Sequence, residues 1–200
     1  MADMQAALQW LTLGLSAALG EDLVSLMLYG SAARGTAAPG YSDVNTLLVL
    51  REASADVLHR AAPVLAAWRK AGNPPPLIQT EADWAASADV FPLEIEDIRE
   101  AHRLLAGRDV VSGLQTTRAD ERAELEREAR GKLVRLRAEY AAGAADGRVL
   151  GELLARATGT VLVLFRAALR LAGKPPVQDP AATPYLVAVE KFVKYVDGLE

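Results

Sequence analysis

Residues 26–50 read LMLYGSAARGTAAPGYSDVNTLLVL, a strand, a glycine-bounded turn, a loop and a second strand. Leu23 to Tyr29 is apolar apart from Ser25, which predicts a buried strand. Gly30 and Gly35 bracket a tight turn, and Pro39-Gly40 marks a loop. Val44 to Leu50 resumes the apolar run. Its Thr46, Leu48 and Leu50 share one face and Leu47 and Val49 the other, so both faces of the sheet are expected to be covered.

Upstream, Leu8, Leu11, Leu15 and Leu19 recur at helical spacing before Gly20 and predict an amphipathic helix over Asp3 to Leu19. Downstream, Ser54 or Asp56 caps a helix running to Lys70, and Pro63 inside it predicts a kink or a break into two pieces. Asn73 to Pro76 is a rigid connector, Leu77 to Gln79 a short strand, and Thr80 to Ala88 a short helix. In FPLEIEDI, residues 91–98, Phe91, Leu93 and Ile95 alternate with Glu94 and Glu96, which predicts another strand. His102 to Leu105 reads as an edge strand or the end of a short helix, closed by Gly107.

From Arg118 the pattern turns helical. Leu125, Ala129, Leu133, Leu136 and Tyr140 stripe a long helix to about Ala142, with Glu126/Arg130 and Glu128/Lys132 paired along its wet side. Val149 to Leu171 predicts a second helix, apolar nearly all round from Val161 to Phe165, and Thr183 to Asp197 a third. The expected fold class is α+β: a mixed sheet flanked by helices over residues 1–115, then a helical bundle over 116–200.

Composition narrows the chemistry. A chain of 200 residues without cysteine has no disulfide, thiolate metal site or cysteine nucleophile. With only His59 and His102, a multi-histidine metal site is not expected, and both are expected near the surface. The net charge of -4 argues against nucleic acid as a partner. No signal-peptide pattern opens the chain and no apolar run is long enough to span a bilayer, so a soluble cytoplasmic protein with no membrane partner is expected.

A glycine turn after a strand lets backbone N–H groups approach a phosphate, with Ser31 and Arg34 as side-chain donors. Asp43 enters the next strand, and strand periodicity puts residues 43 and 45 on one face. Acidic groups there would hold a hard divalent cation beside the phosphates, and Mg²⁺ suits carboxylate and phosphate oxygens. Glu94 or Glu96 could add a carboxylate from a neighbouring strand.

GSAARG followed by SDVN resembles the G-S-x-x-R-G and S-D-x-D signature of the DNA polymerase beta-like nucleotidyltransferase superfamily, especially its minimal and aminoglycoside nucleotidyltransferases. FPLEIEDI is similar to the third-carboxylate region of such proteins, and a helical bundle after the catalytic domain is common among them. The resemblance implies transfer of a nucleoside monophosphate from a nucleoside triphosphate, ATP favoured, to an acceptor hydroxyl on a small molecule or protein, with one or two Mg²⁺ ions. It implies that Gly30 and Ser31 hold the triphosphate, that Arg34 neutralises phosphate charge or braces the turn, and that Asp43 ligates metal. Glu94 would be metal ligand or general base. Where the family carries its second aspartate this chain has Asn45, whose amide can ligate Mg²⁺ but brings no charge. Glu96 or Asp97 is the candidate substitute for the missing charge. A catalytically degenerate member that binds nucleotide or a partner protein is the alternative, and a homodimer through the helical half is a third reading.

Overall fold

The structure, a computed structural model, describes residues 2–35 and 44–174. Four strands form one sheet in the order β3-β2-β1-β4, with β1 (Leu23–Tyr29), β2 (Asn45–Leu50), β3 (Leu77–Thr80) and β4 (His102–Gly107). β1 runs antiparallel to both β2 and β4, while β2 and β3 are parallel. Parallel neighbours need a crossover, and α3 (Ala55–Lys70) supplies it.

Alternation along β1 and β2 assigns the two faces. Leu26, Leu28, Leu48 and Leu50 pack against α1 (Ala2–Leu19) and α3. All four periodic leucines of α1 are buried there. Met27, Leu47 and Val49 face the other way, against Trp84, Ile95, Ile98 and Val111. Each fully buried leucine stabilises the fold by about 1.5–3 kcal/mol relative to exposure, so two covered faces give the central strands most of their hold. The polar ends of the buried aromatics are satisfied: Trp68 Nε1 donates to Pro74 O (2.8 Å) and Trp84 Nε1 to Val110 O (3.0 Å).

One sequence expectation fails and another is narrowed. Of the kink or break expected at Pro63, the break does not occur: α3 is one helix through Lys70. Pro63 is on the exposed side, where water can take the carbonyl its missing N–H leaves open. Residues 91–98 do not form a strand, so Glu94 does not come from one. Pro92 opens α5 (Pro92–Glu100), a first-turn position where its missing N–H costs nothing. Glu94 then lies in the first turn, where a negative charge favours the helix dipole. Ile95 and Ile98 are buried one turn apart, while Phe91 is exposed. The segment that follows, His102–Gly107, is the edge strand.

Thr80 caps the short α4 (Glu81–Ala86), its hydroxyl accepting from Asp83 N at 3.0 Å. Thr117 caps α6 (Arg118–Gly143) and Asp146 caps α7 (Gly147–Leu171), each satisfying N–H groups that a helix start leaves open. A four-residue helix, α2 (Ser31–Arg34), occupies the turn after β1.

The chain divides into two compact units, Met1–Ala88 with Glu94–Gln115, and Asp89–Leu93 with the chain from Thr116 onward. In the second, α6 and α7 bury Leu125, Ala129, Leu164, Ala167 and Leu171 together with Leu93. Arg170 Nε meets Glu121 Oε2 at 2.9 Å between the two helices. Arg130 pairs with Glu126 as the spacing predicts. Between Val161 and Phe165 only Leu164 is buried, less than an all-round apolar stretch implies. The expected third helix, Thr183 to Asp197, lies outside the described residues. Among the described residues no helix is long and apolar enough to cross a membrane.

Gly107 closes β4 with φ +77°, and a Cβ there would stand 2.2 Å from Val24 O. Gly107→Ala should therefore lower unfolding free energy by about 3 kcal/mol. Urea denaturation measures it, and an unchanged midpoint would contradict the close approach.

Candidate functional site

The end of β1 is where the chain brings its chemistry together. Cross-strand partners of an antiparallel pair share a face, and Tyr29 stands opposite Asn45 on β2 and His102 on β4. Gly30 follows with φ 75° and ψ -149°, backbone that side chains with a Cβ avoid. A Cβ there would meet Asn45 Nδ2 at 3.4 Å, so the amide lies directly against the turn. Gly30 N donates to Ala101 O at 3.2 Å, fixing the turn to the residue before β4.

α5 reaches this corner with two carboxylates one helical turn apart. Tyr29 Oη donates to Glu94 Oε1 at 3.3 Å. Arg34, at the end of α2, places Nη2 2.8 Å from Asp97 Oδ1, 3.2 Å from Asp97 O and 3.5 Å from Glu100 Oε2. Arg34 thus braces the turn, one of the two roles expected of it, while its Nη1 is buried with no hydrogen-bond partner among the described residues. Glu96 pairs with Arg99 on its own helix. The carboxylates named as substitutes for the missing second aspartate are therefore each bound to an arginine.

Burial pushes the Glu94 carboxyl above its usual range, the Asp97 charge adds to the rise, and the Tyr29 hydrogen bond opposes it. Tyr29 is raised too, first by burial and then by the Glu94 charge. Both groups hold their protons more tightly than they would in water, as expected where negative charges share a poorly solvated corner.

The site residues named from sequence divide accordingly. Gly30, Ser31, Arg34 and Asn45 border the turn, and Glu94 reaches it through Tyr29. Asp43 lies outside the described residues. Among the described residues no group of three or more His, Cys, Asp and Glu side chains is placed to hold a metal ion. His59 is exposed, with Nδ1 3.0 Å from Ala55 O. His102 starts β4, with Nδ1 2.9 Å from Ile98 O. Tyr29 belongs to this corner and was not among the residues named from sequence. Its only signal in the sequence is a polar-tipped aromatic ending an apolar strand immediately before the glycine turn.

No family model and no curated protein matches the sequence. Among solved structures the chain is similar to the spectinomycin adenyltransferase AAD(9) from Enterococcus faecialis, solved with ATP and spectinomycin. The likeness has a TM-score of 0.56 at 13% identity and covers 98% of this chain and 89% of that one. The fold is α+β and nucleotidyltransferase-like, a mixed sheet flanked by helices with a helical C-terminal region.

Because folding raises the Glu94 pKa, the folded state binds more protons than the unfolded one between the ordinary and the raised value. Stability contributed by this group is therefore present at low pH and lost as pH rises through that window. Glu94→Gln removes the cost of ionisation. By calorimetry the variant should melt above the parent at neutral pH, with the gap closing below about pH 4. A gap that does not change with pH would contradict the assignment.

Proposed function

We propose that this chain is a member of the DNA polymerase beta-like nucleotidyltransferase superfamily that uses Mg²⁺ to transfer a nucleoside monophosphate from a nucleoside triphosphate, ATP foremost, to an acceptor hydroxyl on a small molecule or protein. The observation that carries this is the meeting of the GSAARG turn, the start of β2 and the Glu94 carboxyl at one end of the sheet. ATP is favoured because AAD(9) was solved with it. Residues 1–115 are then the nucleotidyltransferase domain and 116–200 a helical domain, in a protein that works in the cytoplasm.

The residues fit a hard cation. Glu94 is a half-buried carboxyl whose ionisation is opposed by burial and by Asp97, and a divalent ion beside it would reverse that cost. Together with Asp43 and the Asn45 amide oxygen it would make an all-oxygen donor set of the kind Mg²⁺ takes. When bound, Mg²⁺ supplies charge stabilisation on the phosphoryl oxygens. Gly30, whose N–H is engaged with Ala101 O, gives the triphosphate room by lacking a Cβ, Ser31 offers its N–H and hydroxyl, and Arg34 Nη1 is a cationic group nearby. The acceptor oxygen attacks the α-phosphorus, the bond from that phosphorus to the bridging oxygen breaks, and pyrophosphate leaves. Glu94 ligates the ion or takes the acceptor proton, and its raised proton affinity suits the second role.

A second reading has an observation behind it. Asn45 is neutral, and Glu96 and Asp97 are bound to Arg99 and Arg34, so the site is one carboxylate short of the family pattern. A protein that binds nucleotide, or a partner, without turnover follows from that deficit.

Calorimetry with Mg²⁺ and a nonhydrolysable ATP analogue should show binding, and Asn45→Asp should tighten Mg²⁺ by about tenfold, roughly 1.4 kcal/mol. Absence of both nucleotide and metal binding at millimolar concentration would overturn the proposal. Pyrophosphate release with the right acceptor, lost in Asp43→Ala, would establish the enzyme. Binding without release across a wide acceptor panel would establish the inactive form.

A further inference from the structure

We infer that Tyr29 is the positioning residue of the site, holding one oxygen of Glu94 so that the carboxylate presents its other oxygen to the metal and acceptor. The inference rests on the nucleotidyl-transfer proposal and assigns a role to a side chain outside the signature.

The ring and the hydroxyl of Tyr29 do different things. The ring packs against the buried cluster that contains Met27, Leu47, Ile95 and Ile98, a slot phenylalanine would fill equally well. The hydroxyl reaches past that cluster to Glu94 Oε1, 3.3 Å away. A phenol, with an ordinary pKa near 10, is a donor at neutral pH. Glu94 is a flexible side chain, and ordering such a chain costs up to about 2 kcal/mol of rotamer entropy. A donor on Oε1 selects a rotamer before any ligand arrives.

The backbone under Glu94 is held as well. One turn further along α5, Asp97 is fastened to Arg34 at the end of α2. Glu94 and Asp97 therefore both attach α5 to the β1–α2 corner, one at the last residue of β1 and the other at the last residue of α2. A carboxylate that arrives from a helix rather than from a neighbouring strand lacks a pleat to aim it, and the phenol does that aiming instead. Groups that orient metal-binding side chains typically change metal affinity by about 10-fold to 100-fold when removed.

The test is calorimetry of the full chain with Mg²⁺ and a nonhydrolysable ATP analogue, for the parent, Tyr29→Phe, Glu94→Gln and the double variant. Tyr29→Phe should weaken Mg²⁺ binding in the presence of nucleotide by about tenfold, keep its melting temperature, and have no further effect in the Glu94→Gln background. Tyr29→Met, an apolar side chain of similar reach, is read the same way should the phenylalanine variant melt early. A parent that binds while Tyr29→Phe binds equally well overturns the role of Tyr29 alone. So does a loss of the same size with and without Glu94, which would show that the hydroxyl acts elsewhere. A parent that binds neither metal nor nucleotide overturns the nucleotidyl-transfer proposal and this inference together.

Discussion

The register between β1 and β2 sets Tyr29 opposite Asn45, and the corner is built on that pairing. Side chains alternate faces along a strand, so a slip of one residue would send Tyr29 toward α1 and α3 and leave Glu94 without its donor. The register is locked by burial on both sides. Met27 and Leu47 face one cluster while Leu28 and Leu48 face the other, and none of the four is more than 1% exposed. The same packing that stabilises the sheet thus determines which side chains meet at its end.

At that end the turn conformation and the helix placement depend on each other. Gly30 allows the chain to leave β1 beside the Asn45 amide. α2 then carries Arg34 to Asp97, and α5 carries Glu94 to Tyr29. Burial and the Asp97 charge oppose ionisation of Glu94, and Arg34 is engaged with Asp97 and Glu100. The poorly solvated Glu94 carboxyl at this corner is the feature on which the proposed metal site rests.

Much of this was legible in the sequence where periodicity ran long. The leucines of α1 and the stripe of α6 repeat over enough turns to exclude a strand, and the runs of β1 and β2 are bounded by glycine and proline punctuation. Residues 91–98 were misread because three alternating apolar positions satisfy a strand, while Pro92 and the Ile95–Ile98 spacing are the helical signals that tertiary packing rewards. The bond from Tyr29 to Glu94 spans 65 residues, and no local pattern announces a contact of that range. A short motif brings Gly30, Ser31, Arg34 and Asn45 to notice, and Glu94 adjoins them although the helix that carries it reads locally as a strand.

The central claim is that Asp43, Asn45 and Glu94 serve one ion beside a bound triphosphate. A crystal structure with Mg²⁺ and a nonhydrolysable ATP analogue tests it most directly. The account predicts oxygen atoms of all three side chains about 2.0–2.1 Å from a single ion, with the phosphates on the Gly30–Ser31 turn and Tyr29 still bound to Glu94. Nucleotide bound away from that turn, or an ion ligated without Glu94, would contradict it.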